Sequence, residues 1–185
     1  FKLGKLSVGE KALVQAAAGG VGTAAVQLAS KFGAKVAGTA SKEDKLELIK
    51  SLGAELAINY QSEDFETVIR DKWRDIDVCL EVVGGEVFRK SKALLAPFGR
   101  MVVTGYASIP LKKWQPWTWW PAWRDAPKAG VMELAIQSQS LAATHIGYLT
   151  TKPEVTRSVW NELIAFTHLY GILPVIGKEF GFEEL

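Results

Sequence analysis

The stretch from Lys11 to Phe32 constrains the fold of this chain most, because three glycines in it separate two different apolar patterns. The first pattern is the continuous run Ala12–Val14, which is typical of a short buried strand. The glycines that follow are Gly19, Gly20 and Gly22. Apolar residues then recur at the spacing of one helical face, namely Val21, Ala25, Leu28, Ala29 and Phe32. We therefore predict a strand, a glycine turn and a helix that ends at Gly33.

The glycine turn has the properties of an anion-binding site. A helix N terminus leaves backbone N–H groups unpaired and carries partial positive charge. Gly19 and Gly20 would let a diphosphate approach these amides, and Gly22 would let the helix pack closely on the strand. The spacing departs from the dinucleotide-binding pattern G-x-G-x-x-G at its first position, which is Ala17. A tight strand-to-helix turn that binds nothing is the alternative interpretation.

Composition is that of an ordinary soluble domain. The 185 residues are enough for one domain with a full core, and 48% of them are hydrophobic. A net charge of +2 argues against a nucleic-acid partner held by bulk charge. The single cysteine, Cys79, cannot form an internal disulfide, and no Cys/His cluster suits zinc, so we expect no metal site and a reducing, cytoplasmic setting. Because the chain begins at Phe1, we expect the natural N terminus to lie upstream.

The uncharged stretch Ala12–Ser30 approaches the length of a membrane-spanning helix. However, the glycines lie at its centre, with Gln15 and Gln27 on either side of them. The apolar periodicity also changes across the glycines, so we predict two elements of a globular domain rather than a membrane span.

The rest of the chain alternates between strand-like and helix-like segments. The further predicted strands are Lys35–Thr39, Leu56–Asn59, Ile76–Val83, Arg100–Thr104 and Leu141–Leu149. Three further helices are predicted to start at a capping box Ser41–Asp44, at Phe65 and at Val87, and the third of them extends to Leu95. Two more predicted helices are Ala129–Gln139 and Glu154–Tyr170. This alternation predicts an α/β fold over residues 1–185: a doubly wound parallel sheet (Rossmann type) of about six strands with helices on both faces.

The segment Gly105–Pro127 breaks the alternation and contains five of the seven tryptophans of the chain. Exposed tryptophans would form a large apolar patch, so we expect this tryptophan-rich segment to cover the sheet or to dock on a neighbouring surface. A cage for bases or lipid is not favoured, because only Lys112 and Lys113 are interleaved with the aromatic residues.

The end of the second predicted strand indicates which dinucleotide would fit. NAD-binding sites usually place an acidic residue there to accept hydrogen bonds from the ribose. This strand instead runs into Ala40 and Ser41 without a carboxylate. Ser41, Lys45 one helical turn later and Tyr60 after the third strand could together hold a 2′-phosphate, so we predict NADP(H). In the alternative, Ser41 only caps the helix and Lys45 is only solvated.

Six spaced motifs are shared with a known family: Ala16–Ser30, Thr39–Ser41, Leu52–Ala54, Ile58–Tyr60, Val83–Gly85 and Leu94–Arg100. Together they resemble the medium-chain dehydrogenase/reductase superfamily, and most of all its zinc-independent quinone oxidoreductase branch. Trp119, Trp120 and His145–Leu149 resemble the synaptic vesicle membrane protein-like members of that branch. The resemblance extends over nearly the whole chain.

The resemblance implies which residues would contact the cofactor. They are Ala18, Gly19, Gly20 and Val21 for the diphosphate; Ser41, Lys45 and Tyr60 for the 2′-phosphate and adenine ribose; and Val83, Gly105, Tyr106 and Ala107 for the nicotinamide side of the cleft. The segment His145–Gly147 would approach the carboxamide through its backbone. The chain departs from the family at Ala16, where glycine is frequent, and at Gln15, where histidine is frequent.

The resemblance also implies an activity, the transfer of a hydride from NADPH to a quinone or an α,β-unsaturated carbonyl (an enone). In the family the substrate cleft lies between this domain and a catalytic domain of the same chain, so we expect the fragment alone to be inactive. No catalytic residue is assigned. Family members often dimerise through sheet edges, which would make a homodimer through the sixth strand. The alternative is a non-catalytic NADPH-binding module whose tryptophan-rich segment engages a protein or membrane partner.

Two patterns that could suggest other chemistry are interpreted as structural. Tyr148 and Lys152 have the spacing of the short-chain reductase pair, which must share a helical turn. Pro153 follows immediately, so we predict strand and turn instead. His145 and His168 lie in apolar segments, where a lone histidine is usually a hydrogen-bonded structural residue.

Overall fold

The computed structural model describes residues 2–105, 128–145, 147 and 151–184. The strands are β1 (Lys11–Val14), β2 (Lys35–Ala40), β3 (Leu56–Asn59), β4 (Ile76–Glu81), β5 (Leu95–Val103) and β6 (Ser140–Ala143). The helices are α1 (Gly20–Lys31), α2 (Glu43–Ser51), α3 (Phe65–Trp73), α4 (Gly85–Ala93), α5 (Val131–Gln137) and α6 (Pro153–Tyr170), with a 3₁₀ turn at Phe182–Glu184. Apart from Gly105, the tryptophan-rich segment lies outside the described residues.

The six strands form one parallel sheet in the order β3-β2-β1-β4-β5-β6. The chain proceeds from β1 outwards to β3, then crosses to β4 beside β1 and proceeds in the other direction to β6. This order confirms the predicted doubly wound α/β fold. In open sheets of this kind the direction reverses between the two central strands, here β1 and β4, and ligands bind in the crevice outside their carboxyl ends.

Helices cover both faces of the sheet. Because successive residues of a strand point to opposite faces, neighbouring residues of β1 pack against different helices. Leu13 of β1 belongs to a buried cluster that includes Phe88 of α4 and residues of α3. The next residue, Val14, belongs to a second cluster that includes Val26 of α1 and residues of α2. Burial on both faces explains why the central strands are continuous apolar runs rather than alternating patterns.

The buried face of α1 is displaced from the predicted one. Val21, which the apolar spacing predicts to face inwards, is 60% exposed. The buried residues are Gly22, Thr23, Val26 and Ala29. Small residues occupy the first turn because the helix lies close against the preceding turn, and the apolar spacing alone does not reveal this. Gly33 follows the helix as predicted, with φ of +93°.

The predicted capping box at Ser41 does not form. The helix α2 begins at Glu43, and its N-cap is Lys42, which makes no side-chain cap hydrogen bond. The buried residues of α2 are Leu46 and Ile49. Ser41 therefore does not have the capping role that is the alternative to phosphate binding.

The boundary between α4 and β5 comes earlier than predicted. The sequence predicts Leu95 within the helix, but Leu95 pairs with Ile76 of β4. The register then shifts, and Arg100 lies opposite Val78. The residues between them form an irregular segment around Phe98, whose φ is +63°. Pairing with a distant strand therefore overrides the local helical pattern.

The helices α5 and α6 follow the Rossmann core, and neither contains a fully buried residue. The helix α6 begins with Pro153 in its first turn and is followed by Gly171, whose φ is +61°. In the part of the chain that the structure describes, no helix is long and apolar enough to cross a membrane.

Candidate nucleotide-binding site

The turn between β1 and α1 lies at the crevice between β1 and β4. Gly22 is required by packing, because a Cβ atom there would lie 2.4 Å from the carbonyl oxygen of Ala16. Gly20 faces open space, and no described atom beyond its own neighbours lies within 4 Å of a Cβ atom built on it. Gly19 is also exposed, and Ala18 is half-buried. The turn is thus tight on its inner side and open on its outer side.

The N terminus of α1 lacks the negative groups that the other helices have. It has no acidic residue in its first turn and no side-chain cap. Each of the other described α-helices has at least one acidic residue there. Among the described residues, the Gly20 and Val21 N–H groups make no hydrogen bond. These amides and the positive end of the helix are therefore available to an anion.

Ala17 occupies the first position of the dinucleotide-binding pattern, and a glycine in the neighbouring strand makes room for its methyl group. Ala17 is fully buried, and a Cβ atom on Gly38 of β2 would lie 2.7 Å from the Ala17 Cβ atom. Alanine can therefore occupy this position of the turn because the residue facing it in β2, Gly38, has no side chain. Ala16 has φ of +50°, a left-handed conformation that glycine adopts without strain.

A buried hydrogen-bond network holds the start of this turn. Thr39 donates from Oγ1 to Gln15 Oε1 at 2.7 Å and accepts from the Ala16 N–H at 3.2 Å. Gln15 donates from Nε2 to Ser91 Oγ of α4 at 2.9 Å. Gln15, Thr39 and Ser91 are each at most 2% exposed. Because water is excluded, these bonds fix the position of the turn relative to β2 and α4.

Ser41, Lys45 and Tyr60 lie at the carboxyl ends of β2 and β3. Ala40 and Asn59 are paired in the sheet, so Ser41 and Tyr60, which follow them, leave the same edge side by side. Lys45 is in the first turn of α2 and is exposed, and Tyr60 is 53% exposed. None of the three side chains makes a hydrogen bond or an ion pair with another described residue. Ser41 and Tyr60 are therefore neighbours at this edge, and Lys45 follows Ser41 by four residues, in the first turn of α2.

Val83 and Gly105 lie at the carboxyl ends of β4 and β5. A Cβ atom on Gly105 would lie 3.5 Å from the carbonyl oxygen of Val82, so the two strand ends are in contact. Both residues are half-buried. Tyr106 and Ala107, which complete the predicted nicotinamide side, lie outside the described residues. This end of the site is therefore described in part.

Other candidate chemistry finds little support in the described residues. Tyr148 lies outside them, and Lys152 precedes α6 as its N-cap rather than lying within a helix. His145 accepts a hydrogen bond on Nδ1 from the Gly147 N–H at 3.2 Å, and both His145 and His168 are exposed. Within the described ranges, no group of three or more His, Cys, Asp or Glu side chains could hold a metal ion.

Sequence reasoning missed the buried polar residues behind the site. Thr39, Glu81 and Ser91 are each at most 1% exposed. Thr39 in β2 and Glu81 at the end of β4 are polar residues with apolar or glycine neighbours on both sides, and this is the signal that could have identified them. The spacing of α4 places Ser91 on its inward face, but its partner Gln15 is 76 residues away in the sequence.

Comparison with known proteins places this geometry in a family. The model of the zinc-binding dehydrogenase family matches residues 20–123, which is more than half of the chain. The chain belongs to the medium-chain dehydrogenase/reductase superfamily. The matched region begins at the first residue of α1, so it includes the helix whose N terminus forms the candidate site. The resemblance stated from the spaced motifs is confirmed.

Several members of the superfamily are similar to this chain. Prostaglandin reductase-3 of Mus musculus is 44% identical over 108 residues, which cover 58% of this chain and 29% of that protein. The synaptic vesicle membrane protein VAT-1 homolog of Mus musculus is 31% identical over 192 residues, which cover 100% of this chain and 46% of that protein. The quinone oxidoreductase of Thermus thermophilus, whose structures include a complex with NADPH, matches with a TM-score of 0.67 and 33% identity over 89% of this chain and 46% of that chain. This chain spans less than half the length of each of these proteins.

Proposed function

We propose that this chain is the cofactor-binding domain of an NADPH-dependent oxidoreductase that reduces a quinone or an enone. The observation that carries the proposal is the N terminus of α1, which is open and has unpaired amides and no acidic residue at the crevice of a doubly wound sheet. The names of two relatives support the reaction class, since one is a quinone oxidoreductase solved with NADPH and the other is a prostaglandin reductase.

In this proposal the dinucleotide lies across the carboxyl edge of the sheet. The diphosphate would lie against the turn Ala18–Val21 and be held by the unpaired amides of Gly20 and Val21. The adenine ribose and its 2′-phosphate would lie at the ends of β2 and β3, and the nicotinamide would lie towards Val83 and Gly105. This order follows the strand sequence β2, β1, β4, β5 along the edge.

The choice of NADP(H) over NAD(H) rests on the end of β2. A carboxylate at that position would repel a 2′-phosphate, and Ser41 offers a hydroxyl donor in its place. Lys45 contributes a positive charge, and it makes no ion pair with a described side chain. Glu43 and Asp44 in the same helical turn partly offset this charge. We therefore expect a moderate rather than an absolute preference for NADPH.

The bound cofactor would supply the hydride, and the protein would supply its position. This chain binds the anionic parts through backbone amides and presents the nicotinamide end at the junction of β4 and β5. The substrate side of the cleft would come from a catalytic domain of the same polypeptide, in keeping with the length of the relatives. The chain alone would then bind cofactor without turnover.

The substitution Lys45→Ala tests the 2′-phosphate site. We expect it to weaken NADPH binding about tenfold, the value of one charge-assisted hydrogen bond, and to leave NADH binding unchanged. Titration calorimetry of the natural protein with both cofactors measures this. Lys50→Ala, at the exposed last turn of the same helix, is the matched control and should affect neither. Equal weakening of NADPH and NADH by Lys45→Ala would contradict the assignment.

Turnover by the natural protein separates the oxidoreductase from the binding module. Saturable oxidation of NADPH with a member of a panel of quinones and enones supports the proposed activity. Tight NADPH binding without oxidation across the whole panel would support a non-catalytic module that acts through its tryptophan-rich segment.

A further inference from the structure

Glu81 is a buried carboxyl group to which the proposed function gives no role. It is the last residue of β4 and is 0% exposed. Its Oε1 atom accepts hydrogen bonds from the backbone N–H groups of Val83 at 2.6 Å and Gly84 at 2.7 Å. Its Oε2 atom has no hydrogen-bond partner among the described residues. Burying an incompletely satisfied carboxyl group has a cost in folding free energy, so its place in the site calls for an explanation.

The two hydrogen bonds fix a turn that has little else to hold it. The turn from β4 to α4 contains Gly84 and Gly85, with φ of +87° and +58°, and glycine has the largest conformational freedom of any residue. Gly84 is the N-cap of α4 and has no side chain to accept from the first turn. Glu81 instead accepts from the N–H groups of Val83 and Gly84, the two residues that precede the helix.

The turn held by Glu81 includes Val83, which the proposed function places on the nicotinamide side. The diphosphate and 2′-phosphate sites lie on other elements, at the start of α1 and the ends of β2 and β3. The network that fixes the diphosphate turn runs through Gln15, Thr39 and Ser91 rather than through the two bonds of Glu81. Ser91 of that network also lowers the pKa of Glu81, so the two sets of hydrogen bonds are neighbours. The two amides that Glu81 holds nevertheless belong to the β4–α4 turn alone.

We propose that Glu81 is a positioning residue for hydride transfer, because its carboxyl group holds the Val83 and Gly84 amides and thereby sets the turn that faces the nicotinamide. The inference rests on the proposed function, which supplies the nicotinamide. A single acceptor oxygen makes both bonds, so a negative charge is not required. Burial raises the pKa of Glu81 above its usual range, although the Gly84 and Val83 amides oppose this.

Three substitutions in the natural protein test this role. Glu81→Met keeps the length of the side chain and removes the acceptor, so kcat should fall at least about tenfold. The Kd of 2′,5′-ADP, which lacks the nicotinamide half, should stay unchanged. Glu81→Gln keeps one acceptor oxygen and should retain kcat within about twofold. Glu86→Met, at the exposed start of α4, is the control and should leave both quantities unchanged.

The inference is overturned if Glu81→Met keeps the wild-type kcat, or if Glu81→Gln lowers kcat as much as Glu81→Met does. It is also overturned if Glu81→Met weakens the binding of 2′,5′-ADP as much as the binding of NADPH. Should the Met variant fail to fold, Glu81→Leu replaces it, because its side chain also has no hydrogen-bond acceptor; wild-type kcat in that variant overturns the inference. If the wild-type protein does not oxidise NADPH, the proposed function itself is overturned. If the wild-type protein oxidises NADPH and the Glu81→Met variant does so equally fast, only the inference about Glu81 is overturned.

Discussion

Ala16 shows how a single residue is held in a conformation that its type disfavours. Its φ is +50°, in the left-handed region where an L-residue with a Cβ atom loses about 1–2 kcal/mol. Its N–H donates to Thr39 Oγ1, and its carbonyl oxygen accepts from the Gly19 N–H at 3.0 Å. The buried network therefore determines the backbone at this position, and the side chain adds strain.

The substitution Ala16→Gly should stabilise the protein, because glycine adopts this conformation without strain. We expect the free energy of unfolding to rise by about 0.5–1 kcal/mol, part of the relief being offset by the greater freedom of glycine in the unfolded chain. Urea unfolding measures the change. The control Ala24→Gly, at an exposed position within α1, should instead lower stability by up to about 1 kcal/mol. Equal losses in both variants would contradict this account of Ala16.

Glu81 should make the stability of the protein depend on pH. Burial raises the pKa of its carboxyl group in the folded state, so the folded protein favours the protonated form. That contribution is complete below the ordinary glutamate pKa of about 4.3 and is lost as pH rises through the folded-state pKa. The variant Glu81→Gln, which cannot ionise, should therefore gain stability relative to wild type between acidic and neutral pH. Unfolding midpoints of both proteins across this range test it, and a difference that is constant with pH would contradict it.

At the scale of elements, the sequence predicted all six strands but not the inward face of α1 or every boundary. Strands buried on both sides are short apolar runs, and these are visible in any window of the sequence. The position of Leu95 depends instead on its pairing with Ile76, which no local pattern contains. The inward face of α1 depends on how closely its first turn, at Gly22, approaches Ala16. Contacts between distant segments determine these features.

Two glycines of the β1–α1 unit should differ in what they contribute: substitution of Gly22 should lower stability, and substitution of Gly20 should weaken cofactor binding. Gly22→Ala places a Cβ atom against the backbone of Ala16 and Ala17, so we expect a loss of stability of about 1–3 kcal/mol. Gly20→Ala meets open space and should leave the unfolding midpoint unchanged or raise it, while the new methyl group weakens NADPH binding by hindering the diphosphate. Thermal unfolding and calorimetric titration of the two variants test this contrast. A Gly20→Ala variant with unchanged NADPH affinity would remove the support for a diphosphate at this turn.

At the scale of the whole molecule, the parallel sheet brings distant segments to one edge. The order β3-β2-β1-β4-β5-β6 puts Ser41, Gly20, Val83 and Gly105 beyond successive strand ends, although they are spread along the chain from position 20 to position 105. The positions of these candidate contacts could be predicted, because the carboxyl ends of parallel strands share one edge. The network behind them could not, because it depends on which buried polar side chains meet. The catalytic domain and the homodimer through β6 stay predictions.

A crystal structure of the natural protein with NADP⁺ would show directly whether the diphosphate lies at the start of α1. We expect diphosphate oxygens within hydrogen-bonding distance of the Gly20 and Val21 amides and the 2′-phosphate beside Ser41 and Lys45. A nucleotide bound elsewhere, or a turn that stays empty at saturating NADP⁺, would contradict this expectation.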